Sequence, residues 1–586
     1  MYNNSCSYFF IRCQFLNHPY TMKKIKIYLY IGIMSFCTSC SDFLDKVPDE
    51  RTQIDSPDKV SALLVNAYPK VSYAAIVNTR CDYITDFGSV YSGAQPGALF
   101  SFMGENFLWK DVIEDGNDSF ENFWTGCYAA IAVSNQALIS IDELGTPSST
   151  INQKGEALMT RAFSHFCLAS LFAQQYDEST ASLYPGIPYV EKPETQPVEQ
   201  YDRETVADTY RKITQDFEDS YPLMTDGSIY TAPKYHFNKK SAAAFGTRLY
   251  LLMKQYDKVL EYANQLISIP SQFETLTDSK GEPLKNQDGT PQQYISKDDP
   301  AFSFVSNNFH PFATTYMDAS GYIEMRSYFC SSSTNANLLI TEALSSIAWG
   351  ELPFYSRYGL SSTDIGKTIN ADNVTNGMWA IPYYGTSNFY FIPKFTRSEF
   401  TQFTKQESLD ASNFLPYANI PVLRMEEVLL NRAEAYLMLN QYDKAIADLN
   451  LYASQRFVIA RSPASSRYYD SKELCITRDK ILNFYKTKLN NTDHFINKYN
   501  QTDSWSDLKK GILLAILDFR SIEFYNEGLR WYDIVRWNIP VTHTQANGSK
   551  SSLMPDDDRR VLQIPEMATI SGIKLNPRNN VNNTWE

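Results

Sequence analysis

The chain has 586 residues, a formal net charge of −13 and a sequence pI of about 5.1. This acidic balance argues against general nucleic-acid binding, which needs a basic face, and against electrostatic docking on anionic lipid. The 40 tyrosines, 35 phenylalanines and 8 tryptophans favour ligand binding at a half-wet surface over intracellular catalysis, because tyrosine combines an apolar face with a hydroxyl.

The first predicted element is an export signal. Three lysines within residues 23–26 precede the apolar run 27–36, which is too short to span a bilayer as an anchor. Small residues then lead to Cys40, as in the lipobox of a bacterial lipoprotein, where the signal is cut before a cysteine that carries lipid. We predict Cys40 as the lipidated mature N-terminus and residues 1–21 as an over-extended gene start. An ordinary secretory signal with a chance cysteine is the alternative.

Helical periodicity begins with ENFWTGCYAAIAVSNQALISID, in which Trp124, Tyr128, Ile131, Asn135 and Leu138 share one face. Further helical stretches follow in chain order: GEALMTRAFSHFCLASLFAQQYD, RETVADTYRKITQDFEDSYPL, KSAAAFGTRLYLLMKQYDKVLEYANQLI, VLRMEEVLLNRAEAYLMLNQYDKAIADLNLYASQRF and LLAILDFRSIEFYNEGLRWYDIVRW.

Two of these stretches repeat each other. The residues QYDK at 255–258 recur at 441–444, and a tyrosine stands five residues before each glutamine. The spacing of small, aromatic and apolar positions is typical of a tetratricopeptide repeat, with those positions at Ala433, Tyr436, Tyr442, Ala445 and Leu449. Small residues let two antiparallel helices approach closely, and the aromatic residues fill the groove between neighbouring pairs.

Long irregular segments interrupt the helix pairs and form a loop-rich insertion at about 268–414. A structureless segment of this length inside a compact domain is unusual and is normally functional. We therefore predict an all-α fold in which tetratricopeptide-like helix pairs form a scaffold and a large irregular loop-rich lobe binds the ligand.

These features together resemble the SusD/RagB-like outer-membrane lipoproteins of Bacteroidetes. The leader with Cys40 is one match, and the NFW helix is similar to the family's N-x-W-x-x-x-Y-x-x-I-x-x-x-N-x-x-L pattern. Further matches are GEALMTRAFSHFCLASLFAQQYD with GIPYV, PVLRMEEVLLNRAEAY and, most specifically, RSIEFYNEGLRWYDIVRW. The chain departs from the family at Ala173, where a glycine is usual, at Glu426, where an alanine is usual, and in the loosely matching LQIPEMATISGIKLNPRNN.

The resemblance implies a single domain over 40–586, preceded at 1–39 by an upstream extension and a lipoprotein signal peptide. It also implies a lipid-anchored outer-membrane protein that faces the cell exterior. Such a protein binds oligosaccharide or polysaccharide and delivers it, without catalysis, to a SusC-like TonB-dependent outer-membrane barrel. The charged residues of the most specific motif are expected to pair across packed helices: Arg520, Glu523, Glu527, Arg530, Asp533 and Arg536.

A sugar site needs aromatic platforms together with fixed carboxylates, amides or arginines that meet the hydroxyls. The resemblance implies a site built from the segment before the NFW helix and from the irregular insertion, matched here by residues 80–111 and roughly 310–395. From these stretches we select the candidate ligand-binding residues Tyr83, Asp86, Tyr91, Trp109, Tyr316, Trp349, Arg357, Tyr358, Trp379 and Tyr384.

No cofactor is expected. The six histidines lack metal spacing, and the acidic segment 111–121 does not match a calcium loop, so a solvated acidic turn is favoured over a structural calcium site there. Three alternatives to glycan capture stay open at this point. They are capture of a peptide or glycopeptide by the same mechanism, a secreted glycoside hydrolase, and an assembly scaffold without a small ligand.

Overall fold

The structure is a computed structural model that describes the chain from residue 54 to residue 581, with gaps. The described ranges are 54–88, 97–113, 116–196, 198–226, 229–311, 328–345, 357–361, 373–380, 384–386, 389–391, 394–395, 417–460, 467–489 and 505–581. The chain divides into the units Met1–Ile54 and Asp55–Glu586. The predicted signal and Cys40 lie outside the described residues, so the predicted domain boundaries stay predictions.

Within the described ranges the protein is mainly helical, which confirms the predicted fold class. None of these helices is both long enough and apolar enough to cross a membrane. The helices are α1 (Pro57–Leu64), α2 (Tyr73–Val77), α3 (Gly97–Phe107), α4 (Phe120–Glu143), α5 (Ile151–Phe172), α6 (Val206–Ser220), α7 (Lys239–Leu252), α8 (Tyr256–Leu266), α9 (Pro300–Asn308), α10 (Met425–Met438), α11 (Tyr442–Arg456), α12 (Arg478–Tyr485), α13 (Asp507–Glu523) and α14 (Leu529–Arg536).

The two predicted repeats form the helix pairs α7–α8 and α10–α11, which pack against each other through α8 and α10. Each pair turns at a residue with left-handed backbone, Lys254 or Asn440, both with a φ of 60°. The next amide donates to a carbonyl five residues back, from Gln255 at 2.9 Å and from Gln441 at 2.8 Å. This bond pattern ends the first helix and reverses the chain, so the shared QYDK sequence has a shared structural role.

Close packing in this scaffold depends on a small residue in α7. A Cβ placed on Gly246 would lie 2.7 Å from Cζ of Phe217 and 3.1 Å from the ring of Tyr262. The bare backbone of Gly246 therefore lets rings from α6 and α8 approach α7 directly. One apolar core runs from Tyr68 to Ile573 through these helices.

The described strands are short, except for two strands of eight residues. The strands are β1 (Ile84–Asp86), β2 (Phe273–Thr275), β3 (Gln293–Ile295), β4 (Asn337–Leu344), β5 (Tyr358–Ser361), β6 (Met378–Trp379), β7 (Tyr384–Thr386), β8 (Phe389–Phe391), β9 (Tyr417–Arg424), β10 (Phe457–Ala460), β11 (Arg467–Tyr468), β12 (Val541–Thr544) and β13 (Lys550–Leu553).

These strands form a four-stranded sheet in the order β1-β5-β8-β7, a three-stranded sheet β11-β10-β6 and three two-stranded sheets, β2-β3, β4-β9 and β12-β13. The β4-β9 pair is antiparallel from Leu344 opposite Tyr417 to Asn337 opposite Arg424, with a bulge near Leu339. The predicted insertion at about 268–414 is therefore partly regular, because β2 to β8 and α9 lie in its described parts. Only the helical scaffold, and none of these strands, was predicted from the sequence.

Four of the six charged residues of the most specific motif pair across helices as predicted, whereas Glu527 and Arg530 pair with residues outside the described helices. Arg520 of α13 donates from Nε to Asp533 of α14 at 2.9 Å, and Arg536 of α14 donates to Glu434 of α10 at 2.6 Å. Glu523 accepts from Arg424 and Arg456, while Arg530 pairs with Asp82. These pairs join α10, α11, α13 and α14, so the motif residues are part of the scaffold.

Candidate functional site

The candidate site begins where β1 pairs with β5. These antiparallel strands place Ile84 opposite Leu360 and Asp86 opposite Tyr358. The amide of Phe87 extends the pairing by donating to the carbonyl of Arg357 at 2.9 Å. Two of the sequence stretches selected for the site, which lie far apart along the chain, therefore meet in one sheet.

Asp86 and Arg357 form a two-point ion pair at this junction. Arg357 Nε lies 2.5 Å from Oδ1 of Asp86, and Nη2 lies 2.7 Å from Oδ2. The amides of Gly88 and Ala546 donate to the same carboxylate at 2.9 and 3.0 Å. The Asp86 side chain is 1% exposed, whereas that of Arg357 is 38% exposed. The carboxylate thus fixes a guanidinium whose edge reaches solvent.

The electrostatics of this pair keep both groups charged at neutral pH. Burial alone would raise the pKa of Asp86, but the hydrogen bonds from Arg357, Ala546 and Gly88 together lower it below its usual value. The hydrogen bond to Asp86 in turn raises the pKa of the Arg357 guanidinium. A fixed, charged and partly exposed guanidinium can donate hydrogen bonds to hydroxyl or carbonyl oxygens of a ligand.

A series of stacked rings packs against the Arg357 side of the ion pair. The Arg357 guanidinium lies 5.6 Å from the ring centre of Tyr358, and Tyr358 packs on Phe107 at 4.8 Å. Phe107 stacks on His543 at 4.2 Å, and His543 stacks on Trp109 at 4.3 Å. Tyr358 is 9% exposed, and burial raises the pKa of its hydroxyl. These stacked rings therefore mainly hold Arg357 in position.

The described candidates differ in how accessible they are. Tyr83 is half-buried, donates to Asn78 at 2.7 Å and meets the ring of Tyr525 edge to face. The indole rings of Trp109 and Trp379, in contrast, lie in the core. Trp109 is 0% exposed and Trp379 is 2% exposed, and a ring with no exposed face has no platform to offer a sugar. They were selected for ring type, but the structure places both inside the protein.

Trp109 and Trp379 are held by the scaffold itself. The indole of Trp109 donates to the carbonyl of Arg80 at 3.1 Å, and Trp379 of β6 pairs with Phe457 of β10. Of the remaining candidates, Tyr91, Tyr316 and Trp349 lie outside the described residues. Tyr384 lies in β7, in the same sheet as β1 and β5. All four stay predictions.

The site also contains groups that were not selected from the sequence. His543 of β12 is buried against both Phe107 and Trp109, with its ring nitrogens 2.6 Å from the carbonyl of Phe107 and 2.8 Å from that of Cys81. The amide of Ala546, in the turn between β12 and β13, binds Asp86. The residues QANG at 545–548 indicate a turn, but no sequence signal places that turn beside β1.

The acidic segment weighed as a calcium site has protein partners where it is described. Asp111 accepts from Arg578 at 2.6 Å, and Asp118 accepts from the hydroxyl of Ser345 at 2.7 Å. Within the described ranges no three histidine, cysteine or acidic side chains come together as a metal site.

Comparisons with known proteins give one consistent result. A family model described as "Starch-binding associating with outer membrane" matches residues 42–251, and the model of the SusD family matches residues 357–561. None of the curated proteins that were searched matches the chain.

Solved structures show the same fold at low sequence identity. A SusD superfamily protein from Bacteroides thetaiotaomicron has 18% identity and a TM-score of 0.54, covering 89% of this chain and 100% of its own. A SusD superfamily protein from Bacteroides fragilis has 15% identity and a TM-score of 0.56, covering 89% and 99%. A SusD-like carbohydrate-binding protein from Bacteroides vulgatus has 15% identity and a TM-score of 0.52, covering 90% and 97%.

Proposed function

This chain belongs to the SusD/RagB family, and from that premise we propose that it captures glycan chains outside the cell and delivers them to a TonB-dependent outer-membrane transporter. The family assignment makes it a glycan-binding protein associated with the outer membrane. The proposal adds the direction of transport, the partner barrel and the lipid anchor at Cys40.

Members of this family bind glycans without catalysing a reaction, so the chain is not an enzyme and the glycoside-hydrolase alternative is wrong. The carboxylates of the charged motif agree with this assignment. Glu523 and Asp533 are 0% exposed and each accepts hydrogen bonds from two arginines. Carboxylates held in this way cannot reach a glycosidic bond.

The observation that carries the proposed ligand site is the Asp86–Arg357 pair at the β1–β5 junction. Its partly exposed guanidinium supplies charged donors for sugar hydroxyls, and the half-buried Tyr83 lies one residue before β1 begins. Candidates Tyr91, Tyr316, Trp349 and Tyr384 come from the neighbouring stretches of the sequence and would add the aromatic platforms of the same site. A fixed polar group beside exposed rings is the composition that sugar recognition requires.

Affinity electrophoresis tests the site. The purified chain from residue 41 onwards is run in native gels that contain amylopectin, xylan, galactomannan or pectin. We expect at least one polysaccharide to retard it, and Arg357→Ala to weaken that binding about tenfold or more, because a charged hydrogen bond contributes about 1.5–3 kcal/mol. Arg357→Lys should lie between the two, because lysine keeps the charge but loses the two-point geometry.

Arg211→Ala is the matched control, because Arg211 is 65% exposed and pairs only loosely with Asp208 at 3.5 Å. It should leave retardation unchanged. Equal retardation of the Arg357→Ala and Arg211→Ala variants would remove the β1–β5 junction from the ligand site. A chain that none of the four polysaccharides retards would favour the peptide alternative.

The anchor and the partner need a separate measurement in the host. We expect the full chain to incorporate labelled palmitate and to co-purify with an outer-membrane barrel, and Cys40→Ala to abolish labelling and release the protein from the membrane fraction, because acyl chains provide the attachment. A labelled Cys40→Ala variant would place the anchor elsewhere.

A further inference from the structure

A cleft lies where the hairpin β2–β3 packs against helix α11 and the start of α12. Its enclosed part measures about 70 Å³ and the rest is open to solvent, so a ligand would lie partly in the cleft and partly over its rim. None of its lining residues belongs to the β1–β5 junction. The lining includes Phe273, Asn286, Gln292, Gln293, Asn450 and Arg478.

The hairpin is fastened to the scaffold by charged groups. Arg478, at the start of α12, donates to Asp443 of α11 at 2.7 Å and also binds Asp288 in the hairpin. The amide of Gln287 donates to the Asp479 carboxylate at 3.0 Å. These contacts hold the hairpin tip against the N-terminus of α12, so the cleft is a built feature with fixed walls.

The floor of the cleft is apolar and the rim is polar. Ile446 and Ala447 of α11 are buried there. Phe273 of β2, opposite Ile295 in the hairpin, is 44% exposed at the edge. The rim side chains Gln292 and Gln293 carry amides. An exposed ring beside amides fits a pyranose, which presents an apolar C–H face and a border of hydroxyls.

Asn286 gives an independent indication of a ligand. Its side chain lines the cleft and is 9% exposed. The amide nitrogen donates to Thr290 Oγ1 at 3.0 Å, which orients the group. Its Oδ1 is buried and has no hydrogen-bond partner among the described residues. A buried acceptor without a donor costs about 1–3 kcal/mol, and a ligand hydroxyl would supply that donor.

We propose that this cleft is a second glycan-binding site, in which Phe273 stacks on a sugar ring and Asn286 Oδ1 accepts from one of its hydroxyls. The site is separate from the one proposed at Arg357. Two sites on one chain would let the protein hold a long polysaccharide at two points, which raises the apparent affinity through effective concentration.

The test uses Phe273→Ala, Asn286→Ala, Arg357→Ala and the double variant Phe273→Ala/Arg357→Ala in the same four polysaccharide gels. Tyr184→Ala is the control for Phe273→Ala, because Tyr184 is 43% exposed and lies outside the lining of the cleft. Thermal unfolding of every variant checks that the fold is intact. Phe273 is exposed, so its removal leaves the core unchanged.

We expect Phe273→Ala and Asn286→Ala each to weaken retardation at least threefold, Tyr184→Ala to leave it unchanged, and the double variant to bind more weakly than either parent. Loss of binding in Arg357→Ala alone, with Phe273→Ala and Asn286→Ala like the wild type, overturns the second site and leaves the proposed function standing. The reverse result removes the Arg357 site and keeps the cleft. A wild-type chain that no gel retards also overturns the glycan assignment.

Discussion

Replacing Glu523 tests whether buried charge pairing holds the scaffold together. The Glu523 carboxylate accepts from Arg456 Nε at 2.7 Å, from Arg424 Nη1 at 3.0 Å and from the hydroxyl of Tyr452 at 2.7 Å. Within the described residues this network contains three lysine or arginine side chains, three carboxylates and His310 beside Glu426, and no member is more than 6% exposed. Its charged members are Lys394, Arg424, Arg456, Glu426, Glu523 and Glu527.

Glu523→Gln keeps the shape of the side chain and removes its charge. Burial opposes ionisation of Glu523, but Arg456 and Arg424 outweigh it and lower the pKa to about 2, so the native group is ionised at neutral pH. The variant leaves an uncompensated positive charge in the interior, and breaking a buried pair in this way costs about 3–5 kcal/mol. Since the unfolding entropy of a chain of this size is about 1 kcal/mol per kelvin, the melting temperature should fall by about 3–5 °C.

The assay is unfolding by heat and by guanidinium chloride, followed by circular dichroism. Glu261→Gln is the matched control, because Glu261 is 52% exposed and pairs with Lys258 at 3.1 Å on the surface. The control should change the free energy of unfolding by no more than about 0.5 kcal/mol. If Glu523→Gln costs no more than the control, the buried network does not stabilise the fold and the reasoning is refuted.

Two further predictions concern the helical scaffold. His165 donates from Nδ1 to the Arg161 carbonyl at 2.9 Å and accepts from the Val190 amide at 3.0 Å, and burial lowers its pKa to about 3. Because this value lies below that of the unfolded chain, stability should fall from about pH 6.5 downwards, by about 2 kcal/mol at pH 5. His165→Gln should remove that loss in denaturation curves at pH 7 and pH 5, and an equal pH dependence in both proteins would contradict the assignment. Gly246→Ala should lower the melting temperature although helix propensity alone favours alanine by about 1 kcal/mol, because the new Cβ would lie 2.7 Å from Phe217; a higher melting temperature would show that the ring moves aside.

The long helices could be predicted because their signal is local. Apolar spacing over several turns identifies a helix face without knowledge of its partner, and α4, α6, α7, α8, α10 and α11 follow the predicted stretches. Helix ends are less well determined. The helix α5 begins at Ile151 and ends at Phe172, earlier at both ends than the predicted stretch 155–177. The residues Val422–Arg424, predicted as helix, are the end of β9, because pairing with β4 outweighs their local preference.

The candidate site was harder to predict from the sequence, because it depends on the pairing of strands that lie far apart along the chain. Asp86 and Arg357 are 271 residues apart, and strands of three or four residues carry too little alternation to be recognised. Their selection nevertheless came from two separate stretches that the structure joins. Aromatic type, in contrast, does not reveal burial. In the sequence, Trp109 and Trp379 look the same as tryptophans that form an exposed platform, yet both lie in the core.

The charged motif and the ligand sites obey different physical constraints, and the variants can separate them. A charge inside the network is surrounded by counter-charges, so its loss is expressed as lost stability. Arg357 and Phe273 reach solvent, so we expect their loss to remove the proposed contacts to a ligand while the core is kept. Glu523→Gln should therefore change the melting temperature and leave gel retardation unaltered at 20 °C, whereas Arg357→Ala and Phe273→Ala should do the opposite. The buried pairs of the motif therefore belong to the fold, and the exposed side chains of Arg357 and Phe273 belong to the proposed ligand sites.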